Sequence, residues 1–242
     1  RGDSSLQQSE AAMGEIRGDE AESGRVNEDE KSDDEKRADS ERARKLFAGA
    51  CDFIAGATTP EVFPPATLPE IAFVGRSNAG KSSLINAITG RLALARVSHT
   101  PGRTRQINFF NLGARVMLVD LPGYGYAKAS KAMTAEWNLL ITAYLRGRPS
   151  LRRVVLLVDS RRGIMASDEE VLTLLDQAAM STLVALTKTD ELKPAELKAI
   201  VADTEVKAAK HTAAYPEIFV TSAREKTGLE PLKVNLLLLA EA

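Results

Sequence analysis

Apolar and polar residues along the chain follow two periods, which predict an alternating series of strands and helices. Short continuous apolar runs predict strands covered on both faces, and apolar residues three and four positions apart predict helices. The predicted strands are 71–75, 105–112, 114–121, 152–160, 181–190 and 217–223, with a hairpin around Gly113. The predicted helices are 81–90, 130–147, 167–179, 193–211 and 228–242. This order predicts an α/β fold of three layers with a mainly parallel sheet.

Two features refine the ends of this series. Ser167 with Glu170 three residues later has the form of a capping box, which predicts where the helix 167–179 begins. Near the N-terminus, the stretch 40–57 places Leu46, Phe47, Ala50, Cys51 and Ile54 at helical spacing, and it predicts a short amphipathic helix. The segment 58–69 that follows is a proline-rich connector.

The first forty residues differ in composition from the rest of the chain. They carry 13 acidic and 6 basic side chains and very few large apolar residues. Such a segment cannot bury enough apolar surface to offset the entropy lost on ordering. We therefore predict that residues 1–40 form a disordered acidic tail and that 41–242 form one domain.

Cysteine content and hydropathy limit the compartment in which we expect the protein. Cys51 is the one cysteine, so no disulfide can form within the chain, which fits a reducing compartment. No run of 18 apolar residues is present, and the charged N-terminus lacks the apolar core of a secretory signal. We expect a cytoplasmic protein without a membrane partner.

A glycine-rich loop follows the first predicted buried strand and fits the pattern G-x-x-x-x-G-K-[ST]. Its glycines let backbone N–H groups converge on phosphate oxygens, and the helix that follows adds the positive end of its dipole. We expect Lys81 to reach the β- and γ-phosphates and the hydroxyl of Ser82 to ligate Mg²⁺. The predicted phosphate-binding loop comprises Gly75, Arg76, Ser77, Asn78, Ala79, Gly80, Lys81 and Ser82.

A second motif, DLPG, follows the hairpin at Asp120, Leu121, Pro122 and Gly123. Asp120 is placed to hold Mg²⁺ through water, as in a Walker-B position. The backbone N–H of Gly123 can contact the γ-phosphate and turn away when that phosphate leaves. The polar, basic segment before the hairpin is predicted to be mobile, and the hydroxyls of Thr100 and Thr104 are both candidates to close on Mg²⁺.

Two further motifs predict recognition of guanine. In TKTD, the carboxylate of Asp190 can accept hydrogen bonds from the ring N–H and the exocyclic amine of guanine, a donor pair that adenine lacks. The stem of Lys188 can lie along the base, and a backbone N–H of the TSA segment can meet the guanine oxygen. The predicted base-binding residues are Thr187, Lys188, Thr189, Asp190, Thr221, Ser222 and Ala223.

A phosphate-binding loop also occurs in metabolic kinases, which are the alternative class. Such a kinase would need an acceptor pocket and a lid, and the TKTD motif argues against that class.

The stretches GRSNAGKSSLIN, TPGRTRQINFF, DLPGYGYAK, TKTD and TSAREKTGLEPL together resemble the EngB/YsxC/YihA ribosome-biogenesis GTPases, from about residue 44 to 240. The resemblance implies a Ras-like P-loop GTPase fold of the TrmE–Era group, with one antiparallel edge strand, and hydrolysis of GTP to GDP. It also implies a role in assembly of the large ribosomal subunit. In the family pattern Thr104 is the magnesium ligand, and the second nucleotide motif comprises Gly102, Arg103, Thr104, Arg105 and Gln106.

The resemblance also bears on catalysis, for which the predicted residues are Lys81, Thr104 and Gly123. Tyr124 stands where many signalling GTPases carry a glutamine that orients the attacking water, so we predict slow intrinsic hydrolysis. Asn78 matches an asparagine that helps bind K⁺ near the phosphates in related GTPases. A K⁺ ion there would supply the charge that an arginine finger supplies elsewhere.

Basic residues gather near the predicted switch segments and in a second group farther along the chain. Such residues suit phosphate contacts with RNA, although without the resemblance solvated surface charge is the better explanation. With it, we expect the large ribosomal subunit or its precursor as partner, through rRNA and not DNA. The alternative is a GTP-dependent regulatory module that docks on a protein, for instance in cell division. The basic residues are Arg91, Arg96, Arg103, Arg105, Lys128 and Lys131, and then Arg146, Arg148, Arg152, Arg153, Arg161 and Arg162.

Overall fold

The structure is a computed structural model that describes residues 32–92, 94, 106–125 and 131–241, with 131–134 described by their backbone alone. Its strands are β1 Cys51–Ala57, β2 Glu70–Gly75, β3 Ile107–Leu112, β4 Val116–Asp120, β5 Leu151–Asp159, β6 Thr182–Thr187 and β7 Ala214–Val220. Its helices are α1 Asp33–Ala48, α2 Lys81–Thr89, α3 Lys131–Gly147, α4 Ala166–Gln177, α5 Pro194–Ala208 and α6 Leu229–Ala240.

Across these described residues the strands form one sheet in the order β1-β3-β4-β2-β5-β6-β7. The strands β4, β2, β5, β6 and β7 pair in parallel, and β3 runs antiparallel to both of its neighbours. The predicted α/β class, the parallel sheet and the hairpin are therefore confirmed. The antiparallel strand β3 does not lie at the edge, because β1 pairs with it there.

Helices cover both faces of the sheet, which makes the three predicted layers. In β2, Ile71 and Phe73 face a core shared with α1, α2 and α6, while Ala72 and Val74 face a core shared with α3, α4 and α5. Every residue of β2 is consequently buried. None of the described helices has the length and apolar character needed to cross a lipid bilayer.

The N-terminal region differs from the prediction in two ways. Helix α1 begins at Asp33, so the predicted disorder is wrong for 33–40, while 1–31 lie outside the described residues. A capping box starts this helix: the backbone N–H of Ser32 donates to Glu35 Oε2 at 2.8 Å, and the N–H of Glu35 donates to Ser32 Oγ at 3.3 Å. The helix packs against α6 and buries its apolar face there, which compensates for its charged start.

The second difference is that the predicted helix 40–57 ends early. Helix α1 stops at Ala48, and Cys51 and Ile54 belong to strand β1, which pairs with β3 from Cys51↔Leu112 to Ala57↔Ile107. The apolar spacing did fit a helix. The unpaired backbone of β3 offers hydrogen bonds to an extended chain, however, and that non-local pairing decides the structure.

The start of α4 also corrects a prediction. The helix begins at Ala166, one residue before the predicted cap Ser167. Its capping carboxylate belongs to Asp168, whose Oδ2 accepts the backbone N–H of Met165 at 2.8 Å. Glu170 is not part of the cap.

A buried ion pair joins the start of β2 to the end of α3. Glu70 is 1% exposed and Arg148 is 9% exposed. Arg148 Nη2 donates to Glu70 Oε1 at 2.6 Å, and the hydroxyl of Tyr144 donates to Glu70 Oε2 at 2.8 Å. The guanidinium also lies over the ring of Phe109 at 5.4 Å. Removing one charge from such a pair leaves the other buried and unpaired.

We therefore expect Arg148→Met to lower the free energy of unfolding by about 3–5 kcal/mol, because it strands the Glu70 carboxylate in the core. Urea denaturation measures the change. The matched control is Arg152→Met, a change of an exposed arginine in β5, which should stay within about 0.5 kcal/mol of the parent. A loss below about 1 kcal/mol for Arg148→Met would contradict this account.

His211 ties the end of α5 to helix α4. Its Nδ1 lies 2.6 Å from Asp176 Oδ2 and its Nε2 lies 3.1 Å from Glu169 Oε2. Burial lowers the pKa of His211, but the hydrogen bonds and charges of these two carboxylates outweigh it and raise the pKa above its usual value. The folded protein thus favours the protonated imidazole more than the unfolded chain does.

This contribution to stability is complete below the unfolded pKa of about 6.5 and is lost as the pH rises through the higher folded pKa. We expect His211→Gln to lower the melting temperature more at about pH 5.5 than at about pH 9. The control Lys210→Gln changes an exposed neighbour and should show no such dependence. A loss for His211→Gln that is equal at both pH values would exclude the protonated clamp.

Candidate nucleotide-binding site

The predicted phosphate-binding loop connects β2, which ends at Gly75, to α2, which begins at Lys81. Two of its residues have left-handed backbones, Asn78 with φ 67° and Gly80 with φ 87°. Gly80 is the residue before α2 and has no side chain to cap the helix. The first N–H groups of α2 therefore face an open helix end, where the dipole favours an anion.

Close approach explains two glycines of the site. A Cβ on Gly75 would lie 2.8 Å from the carbonyl oxygen of Leu157 in β5, where backbone leaves no space. A Cβ on Gly123 would lie 3.3 Å from both the backbone nitrogen and Oγ of Ser77. Gly123 thus stands directly against the phosphate-binding loop.

Backbone hydrogen bonds hold the segment after β4 alongside this loop. Ser77 N–H donates to the carbonyl of Tyr124 at 2.9 Å, and Leu121 N–H donates to that of Phe73 at 3.0 Å. The ammonium group of Lys81 contacts the carboxylate of Asp120, which is 5% exposed. The structure therefore brings together Lys81, Asp120 and Gly123, the chemical groups that the first two motifs predict.

Side chains of the TKTD motif form hydrogen bonds with the same loop from the other side. Thr187 Oγ1 donates to the carbonyl of Ala79 at 2.6 Å, and Lys188 Nζ donates to the carbonyl of Asn78 at 2.6 Å. Lys188 also reaches Asp159 Oδ2 at 2.8 Å. The predicted base-binding motif is therefore also a structural support of the phosphate loop.

Sequence reasoning missed Asp159, at the end of β5. Burial opposes its ionisation, but hydrogen bonds from Arg161 and Lys188 outweigh burial and lower the pKa of Asp159 to about 2. Arg161 in turn donates to Glu191 Oε2 at 2.8 Å. The available signal was an acidic residue where a buried strand ends, a common place for functional groups in α/β folds.

Five of the seven predicted base-binding residues line a cavity of about 150 Å³ between TKTD and the TSA segment: Thr187, Lys188, Asp190, Thr221 and Ala223. Ser222 Oγ donates to Asp190 Oδ1 at 2.5 Å and accepts from the backbone N–H of Glu225 at 3.0 Å. Ser222 is fully buried, so it fixes the orientation of the Asp190 carboxylate. Ala223 and Thr221 form part of the same wall.

The structure describes the second nucleotide motif only at Gln106. Thr100, Gly102, Arg103, Thr104 and Arg105 lie outside the described residues. Gln106 starts the approach to β3, where its side chain donates to Asn108 Oδ1 at 2.8 Å and lies over Gly56 of the edge strand.

Tyr124 is buried, and its hydroxyl donates to Asp168 Oδ1 at 2.5 Å. That hydroxyl is committed to a carboxylate of α4. The tyrosine therefore does not present it to a water at the phosphates, in keeping with our expectation that it does not replace the glutamine of signalling GTPases.

The arginines proposed for RNA contact divide into two kinds. Arg148 is buried with Glu70, and Arg91 donates to the backbone carbonyls of Thr89 and Gly49. Arg153 packs on the ring of Tyr215 at 5.0 Å. These have structural roles, whereas Arg146, Arg152 and Arg162 are exposed. Outside the described residues lie Arg96, Arg103, Arg105, Lys128 and the side chain of Lys131.

The parallel sheet, the strand–loop–helix phosphate site and the TKTD carboxylate define this protein as a P-loop GTPase. The family described as 50S ribosome-binding GTPase matches residues 70–188, and the elongation factor Tu GTP binding domain matches residues 142–241. The chain belongs to the EngB family of GTP-binding proteins, as the relatives below show.

The probable GTP-binding protein EngB of Gluconobacter oxydans (strain 621H) is 52% identical over 199 residues, covering 82% of this chain and 88% of the relative. The protein of the same name from Rhodospirillum rubrum is 49% identical over 215 residues, covering 86% and 93%. A crystal structure of a probable GTP-binding protein EngB has a TM-score of 0.57 at 24% identity, covering 71% of this chain and 98% of that one.

A second solved structure shares the fold. It is Era in complex with MgGDPNP and nucleotides 1506–1542 of 16S ribosomal RNA, with a TM-score of 0.56 at 22% identity. The match covers 71% of this chain and 56% of the Era chain.

The base pocket predicts a change of specificity. We expect Asp190→Asn to weaken GDP binding by about a hundredfold or more, because guanine loses its charged acceptor. Xanthosine diphosphate should bind more tightly to the variant than to the parent, because a carbonyl replaces the exocyclic amine and can accept from the new amide. Competition against a fluorescent nucleotide measures both affinities.

The matched control is Glu191→Gln, which removes the neighbouring carboxylate that bonds Arg161. Its GDP affinity should stay within about threefold of the parent, as a surface ion pair contributes little. Equal losses in Asp190→Asn and Glu191→Gln would mean that general electrostatics, and not base recognition, explains the effect.

Proposed function

We propose that this GTPase is a molecular switch that assists assembly of the large ribosomal subunit, which it contacts through rRNA. The observation that carries the switch is the direct bonding of the segment 121–125 to the phosphate-binding loop. Because the Ser77 N–H is bonded to the Tyr124 carbonyl, a change in the nucleotide held by the loop acts on that segment at once.

The proposal includes Mg²⁺, for which the residues present fit. Asp120 is a nearly buried carboxylate whose contact is the cationic Lys81, and a hard divalent cation prefers oxygen ligands of this kind. In the family pattern Ser82, in the first turn of α2, and Thr104 would ligate it, and Asp120 would hold it through water. When bound, Mg²⁺ would neutralise charge on the phosphates.

The chain's own groups would act by position and charge. Lys81 and the N–H groups at the start of α2 hold the phosphates, and the N–H of Gly123 stabilises charge on the γ-phosphoryl group as water displaces GDP from it. Among the described residues no side chain at this point is an obvious general base. With the Tyr124 hydroxyl committed to Asp168, we expect slow intrinsic hydrolysis.

Two similarities support a ribosomal partner. The matching family description names 50S ribosome binding, and the Era structure with the same fold holds a fragment of 16S ribosomal RNA. On this chain Arg146, Arg152 and Arg162 are exposed and available for phosphate contacts.

Co-sedimentation with separated ribosomal subunits tests the proposal. We expect the protein to pellet with the large subunit when loaded with a non-hydrolysable GTP analogue, and much less when loaded with GDP. Pelleting should fall as salt increases from about 50 to 200 mM, since phosphate contacts release counterions.

The control is Lys81→Ala, which lacks the ammonium that holds the γ-phosphate; it should pellet with either nucleotide no better than the GDP form. No pelleting of the parent in either state would favour the alternative, a GTP-dependent module that docks on a protein. Pelleting with the small subunit alone would contradict the assignment to the large one.

A further inference from the structure

Tyr124 and Asp168 join the segment after β4 to helix α4. The tyrosine follows Gly123 directly and is 8% exposed. Its hydroxyl donates to Asp168 Oδ1 at 2.5 Å, while Asp168 Oδ2 accepts the N–H of Met165 at 2.8 Å. Asp168 is 1% exposed, so one buried carboxylate both caps α4 and holds the tyrosine.

The same segment is held from two other sides. The Tyr124 carbonyl accepts from Ser77 N–H in the phosphate-binding loop, at 2.9 Å. On the other side, the indole N–H of Trp137 in α3 donates to the carbonyl of Pro122 at 2.8 Å. The Tyr124 and Trp137 rings meet edge to face, with centroids 5.7 Å apart. The residues on either side of Gly123 are therefore clamped by three elements.

This buried hydrogen bond would cost free energy without benefit if the two side chains only filled space in the core. A buried carboxylate loses its hydration, and a phenylalanine would fill the same space without needing an acceptor. Burial raises the pKa of Asp168 above its usual value and raises that of Tyr124 well beyond its own. The tyrosine is thus fixed as a proton donor. Arg76, in the phosphate-binding loop, favours the negative charge on Asp168.

We propose that Asp168 is a positioning residue for GTP hydrolysis, which acts through the Tyr124 hydroxyl to keep Gly123 against the phosphate-binding loop. In the structure this bond is made while Gly123 lies against Ser77. Loss of the bond therefore loosens the arrangement that meets the γ-phosphate. Nucleotides without a γ-phosphate make no use of Gly123, so their affinity does not change.

Two conservative variants test the link. Tyr124→Phe removes only the hydroxyl, and Asp168→Asn keeps the shape of the side chain but removes its charge. We expect each to lower kcat and the affinity for a non-hydrolysable GTP analogue by about tenfold, the effect of losing one hydrogen bond to a charged group. The affinity for GDP should change by less than about twofold.

The double variant separates a shared path from two independent effects. If Asp168 acts through Tyr124, the combined change should be no larger than either single change, because the same interaction is lost. The emission of Trp137, the only tryptophan of the chain, provides a second readout. Its response to the GTP analogue should shrink in both variants, since the indole touches Tyr124 and Pro122.

Two controls distinguish positioning from stability. Glu170→Gln changes an exposed carboxylate of the same helix and should leave kcat unchanged. Leu172→Ala leaves a cavity on the buried side of α4 but keeps both partners of the Tyr124–Asp168 bond, so it should lower the melting temperature and leave the ratio of GTP-analogue to GDP affinity intact.

Equal losses of GDP and GTP-analogue affinity, multiplicative losses in the double variant, or parental kcat in Tyr124→Phe would each overturn the proposal. If Asp168→Asn does not fold, Tyr124→Phe decides alone. The inference deepens the proposed switch, but its test uses no ribosomes. Failure of the Asp168–Tyr124 proposal and failure of the proposed ribosomal partner are therefore distinguishable.

Discussion

The site depends on hydrogen bonds made to the backbone of one short loop. Side chains of Thr187 and Lys188 donate to the carbonyls of Ala79 and Asn78, and the N–H of Ser77 is bonded to Tyr124. The loop cannot pair all of its backbone N–H and C=O groups with one another. Two of its residues have left-handed backbones, and several of its N–H groups point towards the place where a ligand would bind. Support from neighbouring strands is what keeps such a loop open in one conformation.

This support has a second consequence, since the same residues serve more than one ligand group. Lys188 holds the phosphate loop and stands beside the predicted base site, and its partner Asp159 is kept ionised by Arg161. Base and phosphate sites are thereby parts of one bonded unit at the carboxyl ends of parallel strands, where α/β folds place their ligands. When the base of a guanine nucleotide occupies the base site, its phosphates are therefore positioned at the phosphate-binding loop.

Much of this could be predicted from the sequence, because the signals were local. The run 152–160 predicts a strand buried on both faces, and the spacing of Gly75, Gly80 and Lys81 predicts the loop. Strand β1 could not be predicted in the same way. Its residues are exposed in the middle and buried only at the ends, and its pairing partners in β3 lie 50 or more positions away along the chain. Composition alone also concealed the first half of α1, although its capping box was readable at Ser32 and Glu35.

Contacts between side chains far apart in the sequence could not be predicted either. Arg148 appeared as one basic residue among several, and only the fold brings it to Glu70, 78 positions away. No motif points to Asp168, and the sequence draws attention to Tyr124 for the glutamine that it replaces rather than for the bond that it makes. Their pairing is visible only once α4 packs beside the segment after β4.

The contacts of Tyr124 also give a reason to expect slow hydrolysis together with a segment that responds to the nucleotide. A side chain that oriented water would have to lie free near the γ-phosphate, but this one is anchored away from it, on Asp168. What the tyrosine contributes instead is a defined position for its neighbour Gly123, whose backbone needs no side chain to sense a phosphate. On this account the tyrosine would slow hydrolysis and would connect the nucleotide state to the helices α3 and α4. In the switch that we propose, that exchange would favour a long-lived GTP state.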